Sequence, residues 1–293
     1  MTGAKLCLGT AQIGLHYGIA NSQGMPSADQ AFNLLQAAWE NGIHQIDTAS
    51  AYGEAEVRVG EWLRQSPSAT PAIISKVPPL DRLVDKSAAL QTAFDASCAA
   101  LGRQKLDGYM CHRISDYADA SIRAGLRGLR EAGHTEAIGV SIYAPDDLPD
   151  LEDTDIVQAP FSLLNQAVLV SGFLDRCAAA GVRLFVRSVY LQGVVFMSPE
   201  DLPAHLQVLA PVLRRLRGLA DESGFSVGEL ALLAIRDMPG VSSIVIGLDN
   251  VGQLADLMAG MRRPRLAPEL VAEAFRIAAD MPPEVVNPSE WKS

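Results

Sequence analysis

Four side chains able to handle protons each follow a short apolar run. Asp47 and Tyr52 belong to IHQIDTASAYGE (43–54), Lys76 ends AIISK (72–76), and His112 ends LDGYMCH (106–112). Each alone has a plain structural role open to it. Asp47 fits a helix cap, Tyr52 a packing aromatic, Lys76 a solvated charge, and His112 a satisfied histidine at a strand end. Together they read as a proton-delivery unit. A free tyrosine, with a pKa of about 10, is a poor acid at neutral pH. A nearby ammonium group favours phenolate and lowers that value. A carboxylate pairs with the lysine and offsets its burial. An imidazole opposite the phenol can bond the same substrate oxygen. The product of these parts is a proton donor aimed at an oxygen that gains negative charge, as in a carbonyl undergoing reduction. No side chain supplies hydride, so this reading requires a nicotinamide cofactor.

The elements that must position these residues follow a regular alternation. Apolar runs at 5–10, 43–47, 72–76, 106–112, 137–141, 155–159, 183–188 and 243–247 are separated by helical patterns. In 28–42, Phe32, Leu35 and Trp39 fall on one face and Gly42 is a stop; 86–102 reads as a second helix. ENGI, EAGH and AAGV place glycine at helix ends just before a strand. Strand and helix alternating about eight times over roughly 250–300 residues predict an α/β fold, a single-domain (β/α)8 TIM barrel spanning 1–293. A doubly wound open sheet is the runner-up, disfavoured because GTAQIG (9–14) is not a G-x-G-x-x-G fingerprint. The stretch 198–224 predicts an extra helix between the seventh and eighth strands. Barrel sites gather at the C-terminal ends of strands. There the sequence places Asp47, Lys76, His112, Ser141 and Gln158.

Bulk properties exclude several classes. The 293 residues carry a net charge of −10, with 48% hydrophobic and 20% charged residues. An acidic chain whose one basic run is RRPR (262–265) predicts no nucleic-acid partner. The N-terminus lacks a signal-peptide pattern and no segment approaches the ~18 apolar residues of a membrane span, so a cytoplasmic protein with no membrane partner is expected. Cys7, Cys98, Cys111 and Cys177 show no zinc-type spacing, which predicts buried free thiols and no metal site.

With these residues placed, the sequence resembles the aldo-keto reductase family. GIHQIDTASAYGEAEVRVG (42–60), IISK (73–76), LDGYMCH (106–112), IGVSIY (138–143), VQAPFSLLN (157–165), VSSIVIGLDNVGQLADL (241–257) and EVVNPSEW (284–291) carry the resemblance along nearly the whole chain. It implies an NAD(P)H-dependent oxidoreductase acting on a small-molecule aldehyde or ketone. By position, Tyr52 is the general acid, tuned by Lys76 and Asp47, with His112 orienting the carbonyl. Ser141 and Gln158 hold the nicotinamide amide. Gly9, Thr10, Leu191 and Gly193 join the cofactor site, and the junction from Gly247 to Gln253, with Asn250, offers backbone N–H groups and a helix N-terminus to phosphate. The family's partner amide after Ser141 is here Ile142, and its stacking tyrosine is here Arg187, whose plane can also stack on a ring. The resemblance implies NADP(H) ahead of NAD(H). Against it, Asp249 stands about where a base for the 2′-phosphate is common; a carboxylate there suits a ribose hydroxyl, leaving Arg262, Arg263 or Arg187 to compensate. The first loop, 9–24, is polar and aromatic through Gln12, His16, Tyr17 and Asn21. It reads either as a pocket lining for a hydroxylated substrate, a sugar among them, or as a turn closed by Gly18 and Gly24. Two alternatives stand beside the reductase: a catalytically silent cofactor-binding sensor, and a non-redox barrel isomerase or lyase using Lys76 or His112. The oligomeric state is left open.

Overall fold

The computed structural model describes residues 4–80 and 85–291. Eight parallel strands close a barrel in chain order: β1 (Lys5–Gly9), β2 (Gln45–Asp47), β3 (Ala72–Val77), β4 (Gly108–Cys111), β5 (Ile138–Ser141), β6 (Ile156–Pro160), β7 (Arg183–Arg187) and β8 (Val241–Gly247). All eight pairings are parallel, including β1 with β8, which closes the ring. Helices cover the outside. They start and stop where the sequence places the signals: Ser27 and Gln30 form a capping box on the helix Ala28–Glu40, and Gly42, Gly133 and Gly181 turn the chain back with φ of 84°, 74° and 70°. The inserted helix is also present. Ala210–Glu222 precedes Val227–Arg236 between β7 and β8.

The strand period explains why the chemistry gathers at one rim. Cys7, Ile74, Met110, Ile156, Phe185 and Val245 form an apolar cluster, with Ala137, separate from the main core. They lie at alternate strand positions, so their side chains point the same way and fill the barrel interior. Two residues further along each strand the next inward layer is reached. That layer consists of Gly9, Lys76, His112, Gln158, Arg187 and Gly247, joined by Asp47 and Ser141 from the rim ends of β2 and β5. Packed apolar filling thus gives way to polar groups within one step of the pleat. His112 stands just outside β4, whose ladder ends at Cys111. The four cysteines are buried and free.

The C-terminal segment returns to the β6 loop. Phe275 stacks on Phe161 with centroids 6.0 Å apart, Gln166 Nε2 donates to the Phe275 carbonyl at 2.7 Å, and Trp291 Nε1 donates to the Val285 carbonyl at 3.0 Å. Among the described residues no helix is long and apolar enough to cross a membrane.

Candidate active site

Lys76 is fully buried, and its ammonium group is the hub of the rim. Nζ donates to Asp47 Oδ1 at 2.6 Å, to the Thr48 carbonyl at 3.0 Å and to Tyr52 Oη at 3.4 Å. A buried ammonium needs such partners, because desolvation of each ion costs several kcal/mol. Asp47 is held in turn: Gln158 Nε2 donates to the same Oδ1 at 2.8 Å, while the backbone N–H and Oγ1 of Thr10 both donate to the Asp47 carbonyl at 3.0 Å. The His112 ring meets the Tyr52 ring edge-on, at 5.5 Å and 85°.

Tyr52 lies in a turn rather than on a strand, and Gly14 fixes that turn. A Cβ on Gly14 would stand 1.9 Å from the Tyr52 carbonyl oxygen, and one on Gly53 would stand 2.4 Å from the Gly14 carbonyl oxygen. These two glycines let the short helix Ala11–Gly14 press directly against the tyrosine turn, where Glu54 N–H donates to the Gly14 carbonyl at 3.2 Å.

Electrostatics assign the protonation states. Burial lifts the Tyr52 phenol above its ordinary value; Lys76 pulls it down, and Asp47 opposes that pull. The net direction is upward, opposite to the lowering expected from the lysine alone. In this state Tyr52 therefore keeps its proton. Burial depresses Lys76, but the charges of Asp47 and Tyr52 and their hydrogen bonds outweigh it, so the amine stays an ammonium. Burial, followed by Lys76, Arg187 and Arg113, pulls His112 down to about 3. The imidazole is accordingly neutral across the physiological range. A lowered folded-state pKa makes the unfolded chain the better proton acceptor, so this group removes stability as pH falls from about 6.5 toward 3. We predict that the NMR signals of the His112 ring remain those of a neutral imidazole at pH 5. Protonation near pH 6 would contradict the assignment.

A cavity of about 460 Å³ runs from this rim to the helices after β7 and β8. One end is lined by Asp47, Tyr52, Gln158 and Arg187; the other by Ser226, Glu229, Asp249, Gln253 and Asp256. Gly9 and Gly247 are neighbours where β1 meets β8, and both line it. The site has the architecture of a rim-mounted pocket on a parallel barrel. A family model for the "Aldo/keto reductase family" matches residues 5–277. The chain belongs to that family.

The chain is 24% identical to an L-glyceraldehyde 3-phosphate reductase of Escherichia coli (strain K12), over 84% of this chain and 83% of the relative. It is 27% identical to a pyridoxal 4-dehydrogenase of Microbacterium luteolum, over 87% and 88%. Its fold is similar to that of an aldo-keto reductase from Bacillus halodurans solved in the holo form. The TM-score is 0.77 at 19% identity, covering 94% of this chain and 93% of that one.

The cofactor candidates divide into groups. Gly9, Thr10, Gln158, Arg187, Gly193, Gly247, Asp249 and Gln253 line the cavity. Ser141 is buried beside Gln158, its partner across β5 and β6. Leu191 is buried, with φ of 45°, and Asn250 caps the helix Val251–Met261 by accepting from Gln253 N–H at 3.0 Å. The side chain of Gln158 is committed to Asp47 and that of Arg187 lies over Tyr143, 4.8 Å from the ring centroid. In the first loop Gln12, Tyr17 and Asn21 line the cavity, whereas His16 is exposed. Asn21 Nδ2 reaches Asp249 Oδ1 at 3.3 Å, and Gln192 Nε2 reaches Tyr17 Oη at 3.4 Å. The loop is thus a strap laid across the rim.

Sequence reading missed Ser226, Glu229 and Asp256. The signals were present. Ser226 and Glu229 form a capping box, the S-x-x-E pattern of a helix start. Gln253, Asp256, Leu257 and Gly260 recur at helical spacing on one face, and all four line the cavity.

Proposed function

We propose that this protein is an NAD(P)H-dependent oxidoreductase that reduces an aldehyde or ketone to the alcohol, with Tyr52 as general acid. The observation that carries the reading is the bridge made by Lys76 between buried Asp47 and the phenol of Tyr52, at one end of an elongated cavity. The nicotinamide, when bound, supplies the hydride. Tyr52 gives its proton to the carbonyl oxygen, and the ammonium beside it stabilises the phenolate left behind. His112, neutral, donates a hydrogen bond to the same oxygen and orients it. Asp47 holds Lys76 and is itself held by Gln158, so little reorganisation accompanies the charge shift. Glycine backbone at Gly9 and Gly247, with Ser141 and Gln158 behind, suits close approach of a flat amide-bearing ring.

The far end bears on the choice of cofactor. A dinucleotide with its nicotinamide beside Tyr52 would place its adenosine there. Asp249, Asp256 and Glu229 line that end, and Arg187, at the other end, is the single cation among the described lining residues. Arg263 pairs with Glu229 at 3.3 Å, and Arg262 donates to the Met258 carbonyl at 3.0 Å. Neither lines the cavity. A 2′-phosphate would meet carboxylates, which favours NAD(H) over the NADP(H) implied by the resemblance, with Asp249 toward the ribose. Asp249→Arg is expected to move the ratio of NADPH to NADH affinity at least about tenfold toward NADPH, equal to ~1.4 kcal/mol. An unchanged ratio would place Asp249 away from the adenosine.

The sensor reading keeps the same cavity but not turnover, and the intact quartet weighs against it. A Schiff-base isomerase or lyase needs a neutral amine, whereas the Asp47 carboxylate 2.6 Å away holds Lys76 charged. The deciding experiment titrates the purified protein with NADH and with NADPH by cofactor fluorescence, then adds aldehydes and hydroxylated carbonyls. Substrate-dependent oxidation supports the reductase, and tight binding without oxidation favours the sensor. Binding of neither cofactor removes the redox reading.

A further inference from the structure

Arg187 is a charge at the reacting end of the cavity that has no counter-ion among the described residues. It ends β7, two residues beyond the barrel-filling Phe185. It lines the cavity together with Tyr52 and Tyr17, at the reacting end. Its hydrogen bonds go to neutral oxygens: Nη2 donates to the Ile142 carbonyl at 3.0 Å, and Nη1 reaches Ser188 Oγ at 3.5 Å. No ion pair involves it among the described residues. Asp47, the nearby carboxylate, is taken by Lys76 and Gln158. A guanidinium carries five N–H donors in a rigid fork, so most of its capacity is unspent. The Tyr143 ring, 4.8 Å from the guanidinium carbon, braces its plane.

A guanidinium held by one carbonyl and one ring keeps N–H donors open toward the cavity. The whole chain carries a net charge of −10, and Arg187 is the single cation among the described residues that line this cavity. The fork geometry matches an oxyanion two-point contact, carboxylate or phosphate. We propose that Arg187 anchors an oxyanion on the substrate, so that the carbonyl reduced beside Tyr52 belongs to a carboxylated or phosphorylated compound. This inference rests on the reductase reading. The oxyanion takes no part in the two-electron reduction: carbon gains the hydride, oxygen gains the Tyr52 proton, and the anionic group leaves unchanged. Its contribution is orientation, holding the carbonyl against Tyr52.

The test compares matched carbonyl pairs: succinic semialdehyde against butyraldehyde, and glyceraldehyde 3-phosphate against glyceraldehyde. The native enzyme is expected to prefer an anionic member by at least tenfold in kcat/KM, mainly through KM. Which pair shows it separates carboxylate from phosphate. Arg187→Gln is expected to collapse that preference toward one, and Arg187→Lys to restore part of it. The preference of the native enzyme should shrink with added salt. Turnover of both members at equal efficiency would overturn the proposal and leave the reductase standing. An Arg187→Gln enzyme that loses cofactor affinity, measured by fluorescence, while keeping its anion preference would make Arg187 a nicotinamide residue and also overturn it. Absence of cofactor binding and of turnover with every compound would remove the reductase reading, and this inference with it.

Discussion

Tyr52→Phe lowers kcat/KM for carbonyl reduction by about 10²–10⁴-fold, the range associated with a positioned general acid, and leaves cofactor affinity nearly unchanged. The substitution removes one oxygen. Among the described residues that oxygen has one hydrogen-bond partner, Lys76 Nζ at 3.4 Å. The phenyl ring retains its edge contact with His112 and the turn retains its backbone bonds to Ala49 and Ala55. Folding stability is therefore expected to change little. What disappears is the proton. His112 is no substitute, since its pKa of about 3 leaves a neutral ring, and Lys76 is held by Asp47. The upward shift of the Tyr52 phenol belongs to the same account: a general acid must carry its proton when the carbonyl arrives, and Lys76 matters most once the phenolate forms. Steady-state kinetics together with a fluorescence titration check this. Retained activity would take the role of acid away from Tyr52.

Much of this site was legible because strand geometry made it so. Apolar runs of five to seven residues, most of them ending on or next to a polar group, mark strands whose ends face one rim, and the pleat then dictates that Lys76, His112, Gln158 and Arg187 share an inward layer. The eight strands, the inserted helix and the glycine stops were readable for the same local reasons. Other features depend on contacts distant in sequence. The bond from Gln158 to Asp47 joins residues 111 positions apart, and the one from Asn21 to Asp249 joins residues 228 apart. Neither has a local pattern. Gly14 carries no local signal of its role, which appears only when the Tyr52 carbonyl is found against it. The net direction of the Tyr52 shift depends on the fold in the same way, although Lys76 does lower the pKa as expected. From sequence, Lys76 is a cation near a phenol, but in the fold Asp47 cancels much of its field and burial decides.

The same coupling makes Lys76→Met the most disruptive single change at the rim. Methionine fits a buried linear side chain and removes the charge. Asp47, 2% exposed, would then keep a hydrogen bond from Gln158 but no counter-ion, and breaking a buried pair in this way costs about 3–5 kcal/mol. Denaturant unfolding should register that loss, and carbonyl reduction should fall along with it because the Tyr52 phenolate loses its stabilising ammonium. Stability and chemistry separate in the double variant. Adding Asp47→Asn to Lys76→Met removes the orphaned charge, so most of the lost stability should return. Activity should not, since no cation faces Tyr52 from that side. Recovery of both would show that Lys76 serves only to neutralise Asp47. A single variant as stable as the native protein would show that the pair is not buried as described.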